Sequence, residues 1–232
     1  MTWKTHLIGG AQAGILVCAV SGASQGDSVA IISAAMLGSV LPDLDQPKSK
    51  LSQSDILVHV ISSAISRSTK HRGVTHTFFG AALFGALFYA LAMIQGGTEE
   101  SLISFFAAFL TFVLLHGTGS PLKPLAGLFA IAVYMLFGPT IADMIYKNQL
   151  PLVINDIFVP VLCALGVFAG AASHIAYDAF NKGGVPILFP FSTKNYRLMD
   201  IRTNTAGEFW FIAVQIVILG LMLAGWGASL II

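Results

Sequence analysis

An all-α, polytopic transmembrane bundle of about seven membrane segments is the fold this sequence predicts, with a polar, metal-type site at its cytoplasmic edge. Three observations carry that expectation. Hydrophobic residues make up 56% of the 232-residue chain and charged residues only 10%, with a mean hydropathy of +0.80, a balance foreign to soluble domains. The apolar residues fall in runs that approach the ~20 residues a helix needs to cross a bilayer. Short clusters of His and Asp interrupt those runs: His6, Pro42-Asp43-Leu44-Asp45, His71-Arg72-Gly73-Val74-Thr75-His76, His116, and His174 with Asp178.

Taken in order, the first run is Leu7–Ala23. Met1-Thr2-Trp3-Lys4 ahead of it is a poor signal-peptide n-region and no A-x-A-like cleavage site follows, so the N-terminus is expected to stay in the mature protein. Ser28–Leu41 is short and reads as a tilted or partly re-entrant helix, while Ile56–Ile65 cannot span and places residues 52–66 at the interface. Thr77–Ile94, Leu102–His116, Leu125–Ala142, Val153–Tyr177 and Phe209–Ile231 complete the seven. Residues 179–207 form a cytoplasmic loop, and the whole of 1–232 reads as a single integral membrane domain.

Basic residues in short loops stay cytoplasmic. If the seven helices alternate, Lys4, Lys48, Lys50, Arg67, Lys70, Arg72, Lys123, Lys182, Lys194, Arg197 and Arg202 share one side; Asp27, Glu99, Glu100, Asp143 and Lys147 take the other. The N-terminus is then cytoplasmic and the C-terminus external. The same alternation brings every His/Asp cluster to one membrane face. A net charge of +1 with scattered basic residues excludes a nucleic-acid footprint. Cys18 and Cys163 lie far apart in apolar runs and read as small core residues.

Imidazoles and carboxylates together are ligands for Zn²⁺ or Mn²⁺. His174 and Asp178, four residues apart, project from one helix face and can grip one ion or two neighbouring ions. Asp43 and Asp45 follow Pro42 at a helix end, in backbone expected to be extended: one would ligate and one bridge or orient, unless the acidic loop is merely solvated. His76 begins an apolar helix, where a buried imidazole needs a reason. His71, some 140° away from it on a helix, ligates only if Gly73 bends the segment, and otherwise orients a ligand. His6 is a ligand or an interfacial histidine; His116 and His59 read as structural. Arg72 suits a phosphate or carboxylate, or anchors a lipid headgroup. Gly10 with Gly14, and Gly166 with Gly170, would let the first and sixth helices approach and bring His6 toward His174.

Thr5-His6, the run Gly38-Ser39-Val40-Leu41-Pro42-Asp43-Leu44-Asp45, His71-Arg72-Gly73-Val74-Thr75-His76-Thr77, His174-x-x-x-Asp178 and Gly183-Gly184-Val185-Pro186-Ile187-Leu188-Phe189-Pro190-Phe191 resemble, in this order, the YdjM-like inner-membrane family of metal-dependent hydrolase type. That family is distantly similar to zinc-dependent phospholipases C and related nucleases, helical enzymes that cleave phosphoesters with several zinc ions held by His and Asp. The resemblance implies a bacterial inner-membrane protein with His6, Asp43, Asp45, His76, His174 and Asp178 as ligands, His71 as a further one, and one to three divalent ions, zinc or manganese. The soluble enzymes take their first ligand from an N-terminal Trp; here Trp3 stands behind Met1.

The expected function is hydrolysis of a phosphoester of a lipid or other membrane-associated substrate by metal-activated water. Asp43 or Asp45 would orient the water or take its proton, and Arg72 would offset phosphate charge. The segment Lys194 to Arg202 gathers anionic headgroups or simply follows the positive-inside bias. A non-catalytic scaffold tied by metal is the alternative, as is a transporter, although no internal repeat supports the latter.

Overall fold

The computed structural model describes residues 1–46, 52, 56–68, 73–94, 125 and 159–229. Among these residues the regular structure is helical: α1 (Trp3–Ser21), α2 (Gln25–Gly38), a 3-10 turn (Leu41–Asp45), α3 (Ile56–Ser68), a second 3-10 turn (Val74–His76), α4 (Phe78–Ile94), α5 (Val159–Ala179) and α6 (Ala206–Ser229). Local chemistry sets several boundaries. Gly22 closes α1 in the left-handed region at φ 65°, its N–H bonded to the Cys18 carbonyl, and Ser24 caps α2 by accepting from the Asp27 N–H.

The described residues hold three helical stretches long and apolar enough to span a membrane, Asp27–Asp45, Val159–Ala179 and Ala206–Trp226, rather than the seven expected. Physical reasons account for the difference. α1 carries Lys4, Thr5, His6 and Gln12, which interrupt its apolar length. α4 has 17 residues, about 25 Å of helix against a hydrocarbon core of about 30 Å. The short run Ser28–Leu41 gains length because the 3-10 turn continues it to Asp45. The expected segments Leu102–His116 and Leu125–Ala142 lie outside the described residues, Leu125 apart. The stretch expected at the interface contributes α3, 13 residues long and so far too short to cross.

α5 packs against α2, α4 and α1, α1 packs against α2 as well, and α6 lies along α1. Small residues permit this, though not through the pairing expected from sequence. Gly10 and Gly14 of α1 face Ser39, Ala35 and Ile32 on the α2 side, and Gly166 and Gly170 of α5 face Ile31 and Ala35 of α2. Both glycine pairs therefore admit α2, and α1 meets α5 through Gly9, where an added Cβ would stand 2.9 Å from the Tyr177 ring. A Cβ at Gly170 would collide with the Ala35 carbonyl oxygen. Gly170→Val is accordingly expected to destabilise the bundle by roughly 1–3 kcal/mol through overpacking, read as a lower melting temperature in detergent; an unchanged melting temperature would contradict this packing.

Cys18 and Cys163 are unpaired thiols buried with Ala30, Ile31, Ala34, Val159 and Val167, the core role expected for them. α6 is held by polar bonds: the Tyr177 hydroxyl lies 2.6 Å from Gln12 Oε1 and 2.7 Å from Gln215 Oε1, and Gln12 Nε2 donates to the Gln215 carbonyl. One face of α6, including Val214, Val217 and Leu221, is exposed, as the outer face of a lipid-facing helix would be.

Candidate metal centre

Four separate parts of the chain deliver His and Asp to one end of the bundle. His6 comes from the first turn of α1, Asp43 and Asp45 from the 3-10 turn after α2, His76 from the 3-10 turn before α4, and His174 and Asp178 from the last turns of α5. His6, His76 and His174 are buried, and so are Asp45 and Asp178. Asp43 keeps a side-chain exposure of 19%, which makes it the ligand-type group with an opening to the surroundings.

The 3-10 conformation of Leu41–Asp45 replaces the extended backbone expected there. Extended backbone would put positions 43 and 45 on one face; at three residues per turn they lie about 120° apart around the axis. The divergence gives them different neighbours. Asp45 Oδ2 accepts from the Thr75 hydroxyl at 2.6 Å and lies 3.2 Å from His76 Nδ1. A carboxylate on Nδ1 fixes the proton there and turns Nε2 inward, the usual way a metal-binding imidazole is oriented. Asp43 instead points Oδ1 toward His174 Nε2 at 3.7 Å and His76 Nε2 at 3.9 Å.

His174 is oriented in the same manner by a different acceptor. Its Nδ1 lies 2.7 Å from the Ser39 carbonyl oxygen, and a carbonyl only accepts, so Nδ1 carries the proton and Nε2 presents a lone pair. That Nε2 is buried with no hydrogen-bond partner among the described residues. His6 stacks on His174, ring centroids 3.6 Å apart, and its Nδ1 is likewise buried without a partner. Asp178 divides its oxygens: Oδ1 is 3.5 Å from His6 Nε2 and accepts from the Met1 ammonium at 2.8 Å, whereas Oδ2 is 3.8 Å from His76 Nε2 and 3.9 Å from His174 Nε2.

These separations have a chemical meaning. At 3.5–3.9 Å the nitrogen and oxygen atoms are beyond the ~3.2 Å limit of a formed N–H···O bond. They are close to the ~3.3 Å that two ligands of one tetrahedral ion keep at bond lengths of about 2.0–2.1 Å. Among the described residues, two groups keep their ligand atoms within 4.8 Å of one another, His6/His174/Asp178 and Asp43/His76/His174. The donor set and its spacing fit a divalent ion.

Of the residues singled out from sequence, His6, Asp43, Asp45, His76, His174 and Asp178 converge here. His71, Arg72 and His116 lie outside the described residues, and His59 is an exposed position on α3. Sequence reasoning missed Glu208, a buried carboxylate opening α6. Its Oε1 accepts from the Thr2 N–H at 2.6 Å and the Thr5 hydroxyl at 3.0 Å, and its Oε2 from the Asn204 N–H at 2.7 Å. A lone Glu at the start of so apolar a helix was the available signal. Glu208→Ala is expected to leave those donors without an acceptor, a cost of about 1–3 kcal/mol, seen as faster hydrogen exchange over residues 2–6; unchanged exchange would show that Glu208 does not hold the His6 turn.

The YdjM inner membrane protein family model matches residues 1–119 and 123–231. The inner membrane proteins YdjM of Escherichia coli (strain K12) and of Shigella flexneri are each 41% identical over 66 residues, covering 28% of this chain and 32% of the relative. The matched stretch thus spans about a third of those relatives' length. No solved structure matches significantly. With both halves matched, this chain belongs to the YdjM family of inner membrane proteins.

Proposed function

We propose that the chain is a membrane-embedded, metal-dependent hydrolase acting on a phosphoester, with a membrane lipid as the substrate. The observation that carries this reading is the pair of imidazoles, His76 and His174, each fixed at Nδ1 by its own acceptor and turning Nε2 toward Asp43 and Asp178. His76, His174, Asp43 and the Oδ2 of Asp178 would hold one ion; His6 with the Oδ1 of Asp178 would hold a second beside it. Asp45 supports His76 instead of ligating. A bound divalent ion of the zinc or manganese type supplies Lewis acidity toward a phosphoryl oxygen and acidifies water.

The remaining steps belong to the chain's own groups. Asp43, partly open where its neighbours are closed, receives the proton of the attacking water and aligns that water with the phosphorus. Asp45, held by Thr75 and His76, keeps the His76 ring from turning. Arg72 brings from the sequence alone the fixed fork that would offset charge on the phosphate. The full chain, stripped by a chelator and reloaded with zinc or manganese in lipid nanodiscs, is expected to release a phosphorylated headgroup or phosphate from labelled phospholipids only when reloaded. Cleavage of a carboxylic ester or amide lipid instead would replace the phosphoester assignment.

One observation favours a second reading. Most of the donor atoms are closed off, and a closed site is the mark of structural metal. A metal-tied scaffold would bind the ion and melt without it, yet cleave none of these lipids.

A further inference from the structure

We infer that residues 182–202 form a lipid-reading hairpin, an apolar tip that enters the bilayer surface with a basic flank that selects anionic headgroups. The segment joins the end of α5 at Ala179 to the start of α6 at Ala206, two membrane-spanning helices, so it lies where the bilayer meets water. Its base is firmly built. Val185 and Tyr196 exchange backbone bonds of 3.1 and 2.9 Å, Leu198 N–H donates to the Ala179 carbonyl at 2.7 Å, and Ile201 N–H to that of Phe180 at 3.1 Å. Val185 is itself buried with Ala171 and Ile175 of α5.

On this fixed base the apolar side chains point away from the protein. Phe191 is 96% exposed, Leu188 50% and Leu198 68%, and Phe209 and Trp210 at the start of α6 are open as well. An ordered loop that presents a phenylalanine this openly, between two spanning helices, matches an interfacial anchor. The charges beside it name the headgroup. Lys182, Lys194, Arg197 and Arg202 are all exposed, against the single carboxylate Asp200, and cations at a membrane surface favour anionic lipid. A protein partner would meet the same apolar tip, but the four cations and the position at the bilayer surface favour an anionic lipid.

The inference depends on the chain spanning a membrane and not on the hydrolase reading. Joined to that reading, it makes anionic phospholipids the substrate class, because the hairpin springs directly from the helix that carries His174 and Asp178. It is tested without any turnover. Both native thiols are buried, so Phe191→Cys in the full chain takes a nitroxide label at that position alone. Its collisions with oxygen and with a water-soluble nickel chelate are compared in nanodiscs of phosphatidylcholine with and without phosphatidylglycerol.

The expected result is a label immersed among lipid when phosphatidylglycerol is present, shifting toward water in phosphatidylcholine alone and equally in the Lys194→Gln/Arg197→Gln background. Three results would each overturn the inference: a label open to the nickel chelate in the anionic bilayer, immersion indifferent to both phosphatidylglycerol and the double substitution, or a label immersed in neither bilayer that becomes immobilised in native membranes, which would assign the tip to a protein partner.

Discussion

Asp43→Asn is expected to lower turnover by roughly 10²–10⁴-fold, the range a positioned general base supplies, even when metal is supplied in enough excess to offset a weakened ligand. The amide keeps an oxygen where Asp43 Oδ1 stands, 3.7 Å from His174 Nε2 and 3.9 Å from His76 Nε2, so a neutral ligand atom survives and the proton acceptor does not. Asp45→Asn would behave differently. Its oxygen receives the Thr75 hydroxyl and faces His76 Nδ1, so its loss acts through the orientation of His76 and weakens metal binding by about 10–100-fold. The two adjacent carboxylates thus separate in a measurement of metal affinity beside kcat. If Asp43→Asn turns over normally, the base lies elsewhere.

Asp178→Ala is expected to have the largest effect on metal binding, above the ~100-fold typical of groups that merely orient a ligand. Both of its oxygens face imidazole nitrogens, Oδ1 toward His6 and Oδ2 toward His76 and His174, so one substitution empties both sides of the candidate centre. The same change removes the acceptor of the Met1 ammonium, and an unpaired buried charge destabilises by several kcal/mol. Asp178→Asn separates the two effects, because its amide oxygen can still accept from Met1. The expected pattern is a folded Asn variant with weakened metal binding and an Ala variant that also melts earlier. Full metal affinity in the folded Asn variant would remove Asp178 from the ligand set.

The convergence of His6, Asp43, Asp45, His76, His174 and Asp178 was legible in the sequence, because each of these clusters sits at the end of an apolar run. Their division of labour was not. Nothing in Pro42-Asp43-Leu44-Asp45 distinguishes an oxygen aimed at two imidazoles from one that holds Thr75 and His76, since that depends on a 3-10 turn packed against residues 30 positions away. Among the described residues the spanning helices are fewer than expected for a related reason. Hydropathy sees Leu7–Ala23 as a run, yet Thr5 and His6 ahead of it serve Glu208 and the centre, and Gln12 within it serves the Tyr177 contact. The glycines were correctly marked as close-approach positions but were assigned the wrong neighbour, because spacing along α1 and α5 says that a helix fits and not which one. Glu208 and the Ser39 carbonyl escaped notice because one acts through backbone amides and the other is itself backbone.

Metal content of the chain purified in detergent, set beside a folded His174→Ala/Asp178→Asn variant, tests the central claim most directly. At least one equivalent of zinc or manganese in the unsubstituted chain, absent from the variant at unchanged elution on size exclusion, is the predicted result. A chain that carries no divalent ion and takes up neither zinc nor manganese when they are supplied would contradict it, and the converging imidazoles would then be a hydrogen-bonded clasp between helices.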